Sequence, residues 1–193
     1  MALFSAYRAD RLIAEVRDSG DPASPKARQA LAKLQGLGPT AIKPIIDALA
    51  SADKRETVAF VEILTGMIDN KTFPVLARAL AEENPRAVAG VAWALSSARS
   101  FSPMLLLDLL SEPGISRPAV LEVIAAHKGR FQLRDLLNAA YQQDPNEKSA
   151  LFRIAGDLVD GSSVDELISR VEGKDPIARM HIIALLARFN SPR

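Results

Sequence analysis

The chain has 193 residues, 48% of them hydrophobic, with 24 basic and 23 acidic side chains, a formal charge of +1 and no cysteine. This length and apolar share suit a folded core and argue against disorder, and the lack of cysteine excludes disulfides and thiolate metal sites. The charge balance counts against a dedicated nucleic-acid binder, which carries a clear basic excess, and aromatics at 5% beside abundant Ala and Leu favour close-packed helices over sheets.

The first expected helix covers roughly residues 4 to 18, within "MALFSAYRADRLIAEVRDSG". That segment has no basic n-region, long apolar core or cleavage site of a signal peptide. No apolar run anywhere approaches the roughly 20 residues of a membrane span, and a soluble cytoplasmic protein is expected.

From residue 24 onward a repeat sets in. Its units begin near Pro25, Lys54, Pro85, Ile115, Pro145 and Pro176, at intervals of 29, 31, 30, 30 and 31 residues. Self-similarity at such a period outweighs any single-residue argument about the fold. In the first helix of each unit, six positions past the start, stand Leu31, Phe60, Val91, Leu121, Leu151 and Ile182. Three positions further stand Leu34, Ile63, Ala94, Ile124, Ile154 and Leu185. Apolar residues three apart share a helical face, so these columns are the expected core.

The second helices carry "IIDAL", "VLARAL", "LLLDLL", "LRDLLNAA" and "DELISRV", again at helical spacing. Pro44, Pro74 and Pro103 are expected in their first turns, where a missing N–H breaks no ladder bond. Before the first helices, "SP" at 24–25, "NP" at 84–85, and "DP" at 144–145 and 175–176 place a capping residue ahead of proline. Asp144 with Glu147, and Ser162 with Asp165, have capping-box spacing. A series of bases, Arg55, Arg86, Arg117, Lys148 and Arg179, recurs every 31 residues. Acids lie just upstream in the turns, at Asp53, Glu83, Glu112, Asp144 and Asp175, and an inter-repeat ladder of ion pairs is expected.

Two helices per unit, "DP…R" entering the first and "AIKPIIDAL" opening the second, resemble HEAT repeats of the short bacterial type, also called PBS-lyase HEAT-like repeats. The resemblance implies an all-α, right-handed α-α superhelix (a solenoid) of about 12 helices. Residues 1–23 would form an N-terminal capping helix, and residues 24–193 five repeats plus the first helix of a sixth. The chain stops at "ARFNSPR", where a further second helix would begin. The apolar stripe of "ARMHIIALLARF" is then expected to stay partly uncovered, as the front part of a longer protein or as a surface for self-association.

Candidate chemistry is sparse. The only histidines, His127 and His181, lie in no H-E-x-x-H or clustered ligand spacing. His127 ends a first helix in "AAHKGR" and reads as a surface residue; His181 reads as a partly buried packing residue. The family's iron-binding hydroxylases use His-Glu pairs, which this chain lacks. "LQGLGPT" at 34–40 lacks the lysine of a phosphate loop and reads as an inter-helix turn with a glycine C-cap. No catalytic residue, metal ligand or cofactor is expected, and the chain reads as a non-enzyme.

The resemblance makes the second helices the default binding face of a protein-interaction scaffold. Their expected outward positions are Lys43, Asp47, Arg78, Asp108, Arg134, Asn138, Glu166 and Arg170. Arg78, Arg134 and Arg170 would form a basic line, with Asn138 beside them. Trp93, the only tryptophan, stands eight positions past its unit's start. Lys33, Glu62, Val123, Arg153 and Ala184 hold that column elsewhere, so Trp93 is a candidate partner anchor. The alternatives within the resemblance are a DNA-binding protein related to alkylpurine DNA glycosylases and a chromophore lyase; mixed signs and few aromatics weigh against the first.

Overall fold

The computed structural model describes residues 2–188, with side chains from residue 7 onward. In chain order its α-helices are α1 (Ala2–Asp18), α2 (Pro25–Gly36), α3 (Ile42–Leu49), α4 (Lys54–Met67), α5 (Phe73–Ala79) and α6 (Pro85–Ser97). There follow α7 (Met104–Leu109), α8 (Arg117–Ala126), α9 (Leu133–Tyr141), α10 (Pro145–Ala155), α11 (Val164–Val171) and α12 (Pro176–Ala187). The protein is all-α, with twelve α-helices and no strand among the described residues.

The first helices start where the capping signals stand. Ser24 Oγ accepts from Ala27 N at 3.2 Å, and Asn84 Oδ1 accepts from Arg86 N at 2.9 Å and Ala87 N at 3.2 Å. Asp175 Oδ1 accepts from Ile177 N and Ala178 N, both at 3.0 Å. Each cap satisfies amide donors that no earlier turn can reach. Among the first helices a capping box falls at Asp53 and Glu56: the Asp53 carboxylate takes Glu56 N at 2.8 Å, and Glu56 takes Asp53 N at 3.1 Å. The two boxes expected from spacing differ. Asp144 occupies the N-cap of α10 without a side-chain cap bond. The box expected at Ser162 lies two residues upstream, where Asp160 accepts from Ser162 N at 2.9 Å and Ser163 Oγ from Asp160 N at 3.3 Å. There it closes a 3₁₀ turn (Gly161–Ser163) that leads into α11.

Pro44 and Pro74 sit in the first turns of α3 and α5, and Pro103 is the N-cap of α7. Between α2 and α3 the chain reverses through Gly38, whose φ of 61° lies in the left-handed region that a Cβ disfavours.

The described helices fall into two compact units. One holds the residues up to Ser102 together with Pro113–Val123; the other holds Pro103–Glu112 and the residues from Ile124 onward. Helix α8 is shared between them. In the first unit α1 packs on α2 and α3, α2 on α4, α3 on α4, α5 and α6, and α4 and α5 on α6. In the second, α9 packs on α10, α10 on α12, and α11 on α12. Each row of neighbours is held by the columns read from sequence. Leu34, Ile63, Ala94, Ile124, Ile154 and Leu185 are all buried, as are Phe60, Val91, Leu151 and Ile182.

One unit is out of register with the expectation. In α8 the buried face is Val120, Val123 and Ile124, while Leu121 is only half-buried. The face therefore lies one residue earlier than a start at Ile115 would place it. The turn accompanies the shift: Gly114 has φ 81°, and Ser116 N donates to Leu80 O at 2.9 Å, a backbone bond to a distant residue at the entry to α8. In this corrected register Glu122, not Val123, belongs to the Trp93 column. Lys33, Glu62, Trp93, Glu122, Arg153 and Ala184 are then all exposed.

His127 corrects another expectation. It is buried, not a surface residue, at 1% exposure, because it continues the face of Val120, Val123 and Ile124 at three- and four-residue spacing. On α12, Met180 and Ile183 are exposed beside the buried Ile182. Residues 189–193, up to where a further second helix would begin, lie outside the described residues.

Candidate functional site

The expected outward positions of the second helices divide by their partners. On α3, Lys43 pairs with Asp47 and lies 3.3 Å from Glu82. The Asp47 carboxylate, with Glu82 adding to it, holds the Lys43 ammonium above its ordinary pKa. Arg78 on α5 is exposed and makes no ion pair among the described residues. Arg134 on α9 is likewise exposed and unpaired among them, and Asn138 is exposed one turn further along.

Arg170 is different. It is half-buried, its Nη2 lies 2.9 Å from Glu166 Oε1, and its guanidinium sits 5.9 Å from the centre of the Tyr141 ring. Its charge is met within the second unit by a carboxylate and an aromatic face. Burial raises the Tyr141 phenol, against the pull of the Arg170 charge. Arg170 therefore offers little free charge to a phosphate backbone.

Helices α7 and α9 flank an open groove of ≈ 330 Å³ whose lining includes Met104, Leu107, Asp108, Asp135, Asn138 and Gln142. Met104, the first residue of α7, is 43% exposed there. An apolar side chain of flexible shape stands among acids and amides, a mixture suited to a protein surface and unfavourable to a polyanion. Asn138 is the expected site residue this groove includes. Met104 was not singled out from sequence; the signal was an apolar residue at a helix start, off the buried stripe of Leu106, Leu109 and Leu110.

Trp93 lies on the opposite kind of helix, on the exposed row of α6, at 47% exposure. No described contact links it to the second-helix positions.

The polar groups of the second unit that resemble chemistry also have packing and backbone partners. Ser149 Oγ lies 3.0 Å from His181 Nε2, but Ser149 also donates to Pro145 O at 2.8 Å. The hydroxyl has one proton to give, and the Pro145 carbonyl is an acceptor within reach of it as well as the imidazole. The His181 ring stacks on Phe152 at 5.1 Å, a packing role. The expected ladder of bases and acids forms only in part. Lys148, buried, pairs with Asp175 of the next unit, whereas Arg179 Nη2 donates to Gly173 O at 2.7 Å. Among the described residues no group of three or more His, Asp or Glu side chains is placed to hold a metal ion. No described helix is long and apolar enough to cross a membrane.

No protein-family model matches the chain, and no curated protein matches it.

Proposed function

We propose that the chain is a HEAT-like helical-repeat module, a right-handed α-α superhelix of helix pairs, that binds a protein partner through its second helices. Neighbour and next-but-one helix packing within each unit supports the repeat reading. The observation that carries the binding reading is the groove between α7 and α9, where exposed Met104 lies among Asp108, Asp135, Asn138 and Gln142. Such a surface offers an apolar anchor and several hydrogen-bonding groups without a uniform charge. The reading includes no reaction and no cofactor.

A photoreactive phenylalanine analogue at Asn138, compared with one at Arg153 on the exposed row of α10, tests it in the native cells. A discrete adduct from position 138, absent from position 153 and lost with Met104→Glu, is the expected result. Identical adducts from both positions, or none from 138, would sink the second-helix reading.

A further inference from the structure

A second groove lies among first helices, and none of the second-helix positions lines it. It runs between α2 and α4 and encloses ≈ 1290 Å³. Its walls bring together Leu31 and Ala32 of α2 with Val58, Ala59 and Ile63 of α4. Ala32 and Val58 are exposed, and Leu31 and Ala59 half-buried. Leu31 is thus one of the two core-column residues that the fold leaves incompletely covered.

The next slot of the same build is closed, which marks the α2–α4 groove as the open one. Ala32 on α2 corresponds to Val61 on α4, seven positions past each start, and Val61 is 3% exposed. Helix α6 lies closely on α4, with Thr65 Oγ1 3.4 Å from Ala94 O. Helices α2 and α4 both line the groove, from Arg28 with Lys54 and Arg55 near their starts to Gln35 with Glu62 and Ile63 nearer their ends, and the Gln35 amide lies 2.9 Å from where a Cβ on Gly66 would be. They meet near their C-terminal ends and leave the slot open along the outer row. An amphipathic helix has the apolar stripe that two helix ridges accept.

Charge specifies the occupant further. Arg28, Lys54 and Arg55 line the N-terminal end of the groove, and none makes a side-chain hydrogen bond or ion pair among the described residues. The acids nearest them are engaged elsewhere. Asp53 and Glu56 close the cap of α4, Glu56 also lies 3.7 Å from Arg17, and Asp21 accepts from Ala23 N at 3.0 Å in its own turn. The remaining acid, Glu62, lies two turns further along α4.

We propose that the α2–α4 groove is a docking site for an amphipathic helix of a partner protein that carries carboxylates at one end. Its apolar residues at i, i+3, i+4 and i+7 cover Leu31, Ala32, Val58 and Ala59, and its acids meet Arg28, Lys54 and Arg55. This site is independent of the second-helix surface, so its failure would leave that reading untouched.

The probe is a fluorescein-labelled amphipathic helical peptide of Leu, Ala and Glu with its glutamates at one end, titrated with the full chain by anisotropy. Binding should weaken at least about tenfold, equivalent to ~1.4 kcal/mol, in the Arg28→Glu/Arg55→Glu chain. It should weaken similarly in Ala59→Trp, which fills the floor. Lys43→Glu, on α3, should leave it unchanged, and circular dichroism should show all variants folded. The proposal is overturned if the peptide does not bind, or if a lysine-for-glutamate peptide binds equally well. It is also overturned if the double reversal has no effect, or if a single-stranded oligonucleotide displaces the peptide at equal concentration and so reveals a general polyanion site.

Discussion

Lys148 retains only 7% of its surface and ends on Asp175, the residue that also caps α12. A buried ammonium is costly without a partner, so this pair joins the charge balance of α10 to the start of α12. The Lys148 ammonium, then the Ala178 amide, hold the Asp175 carboxyl below its ordinary value. A carboxyl depressed in the folded state contributes stability above its unfolded pKa, and that stability is lost as pH falls through the depressed folded value. Asp175→Asn should therefore lower the urea midpoint at neutral pH, and the deficit should narrow as pH falls below about 4, the ordinary carboxylate value. Lys148→Met, which removes the buried charge with its pair, should cost less than Asp175→Asn at neutral pH. Equal deficits at every pH would show that the pair carries no weight. The spacing of bases and turn acids did point to this pair. It failed at Arg179 because long side chains choose among several nearby acceptors, and spacing sets only proximity. His127 was misread for a different reason: its place at the end of a first helix suggested a surface cation, while its distance from Val120, Val123 and Ile124 marked the buried face.

At the level of elements, the caps and helix spacing were legible because each rests on local chemistry. Ser24, Asn84 and Asp175 bond amides two or three residues away, which any reader of the sequence can count. The register of α8 was not legible. It goes with the Ser116–Leu80 backbone bond, a contact between distant residues with no side-chain signature. The fit of α3 against α6 was equally hidden. A Cβ on Gly90 would lie 2.8 Å from Leu49 Cδ1, and Leu49 is 1% exposed with little room to retreat. Gly90→Val should cost about 1–3 kcal/mol, since overpacking exceeds the few tenths that helix propensity returns. Leu49→Ala alone should cost about 2–5 kcal/mol by leaving a cavity. Together the two should cost at least about 1 kcal/mol less than their sum, because the valine occupies the space the leucine leaves. Strict additivity in urea unfolding would mean that the two helices do not meet at this point.

Over the whole molecule, the period of about thirty residues was the most legible feature, and it assigns equivalent positions without assigning them equal energy. Seven positions past the start of every unit but the one that holds α8 stand Ala32, Val61, Ala92, Phe152 and Ile183. Val61, Ala92 and Phe152 are buried, whereas Ala32 and Ile183 are exposed, Ile183 at 51%. The difference follows from what lies on each helix. Phe152 on α10 is covered by α12, with the His181 ring 5.1 Å away; no described helix covers Ile183 on α12. Two residues that the repeat treats as equivalent should thus differ widely in worth. Phe152→Ala should cost about 3–5 kcal/mol, the range for removing a buried ring. Ile183→Ala should stay within about 1 kcal/mol, as for an exposed position. Urea unfolding of both variants at two protein concentrations checks this. If Ile183→Ala proves as costly as Phe152→Ala and its midpoint rises with concentration, a second copy of the chain covers α12 in solution. If the cost is small and independent of concentration, the open row belongs to the free molecule, and covering it can stabilise only a complex.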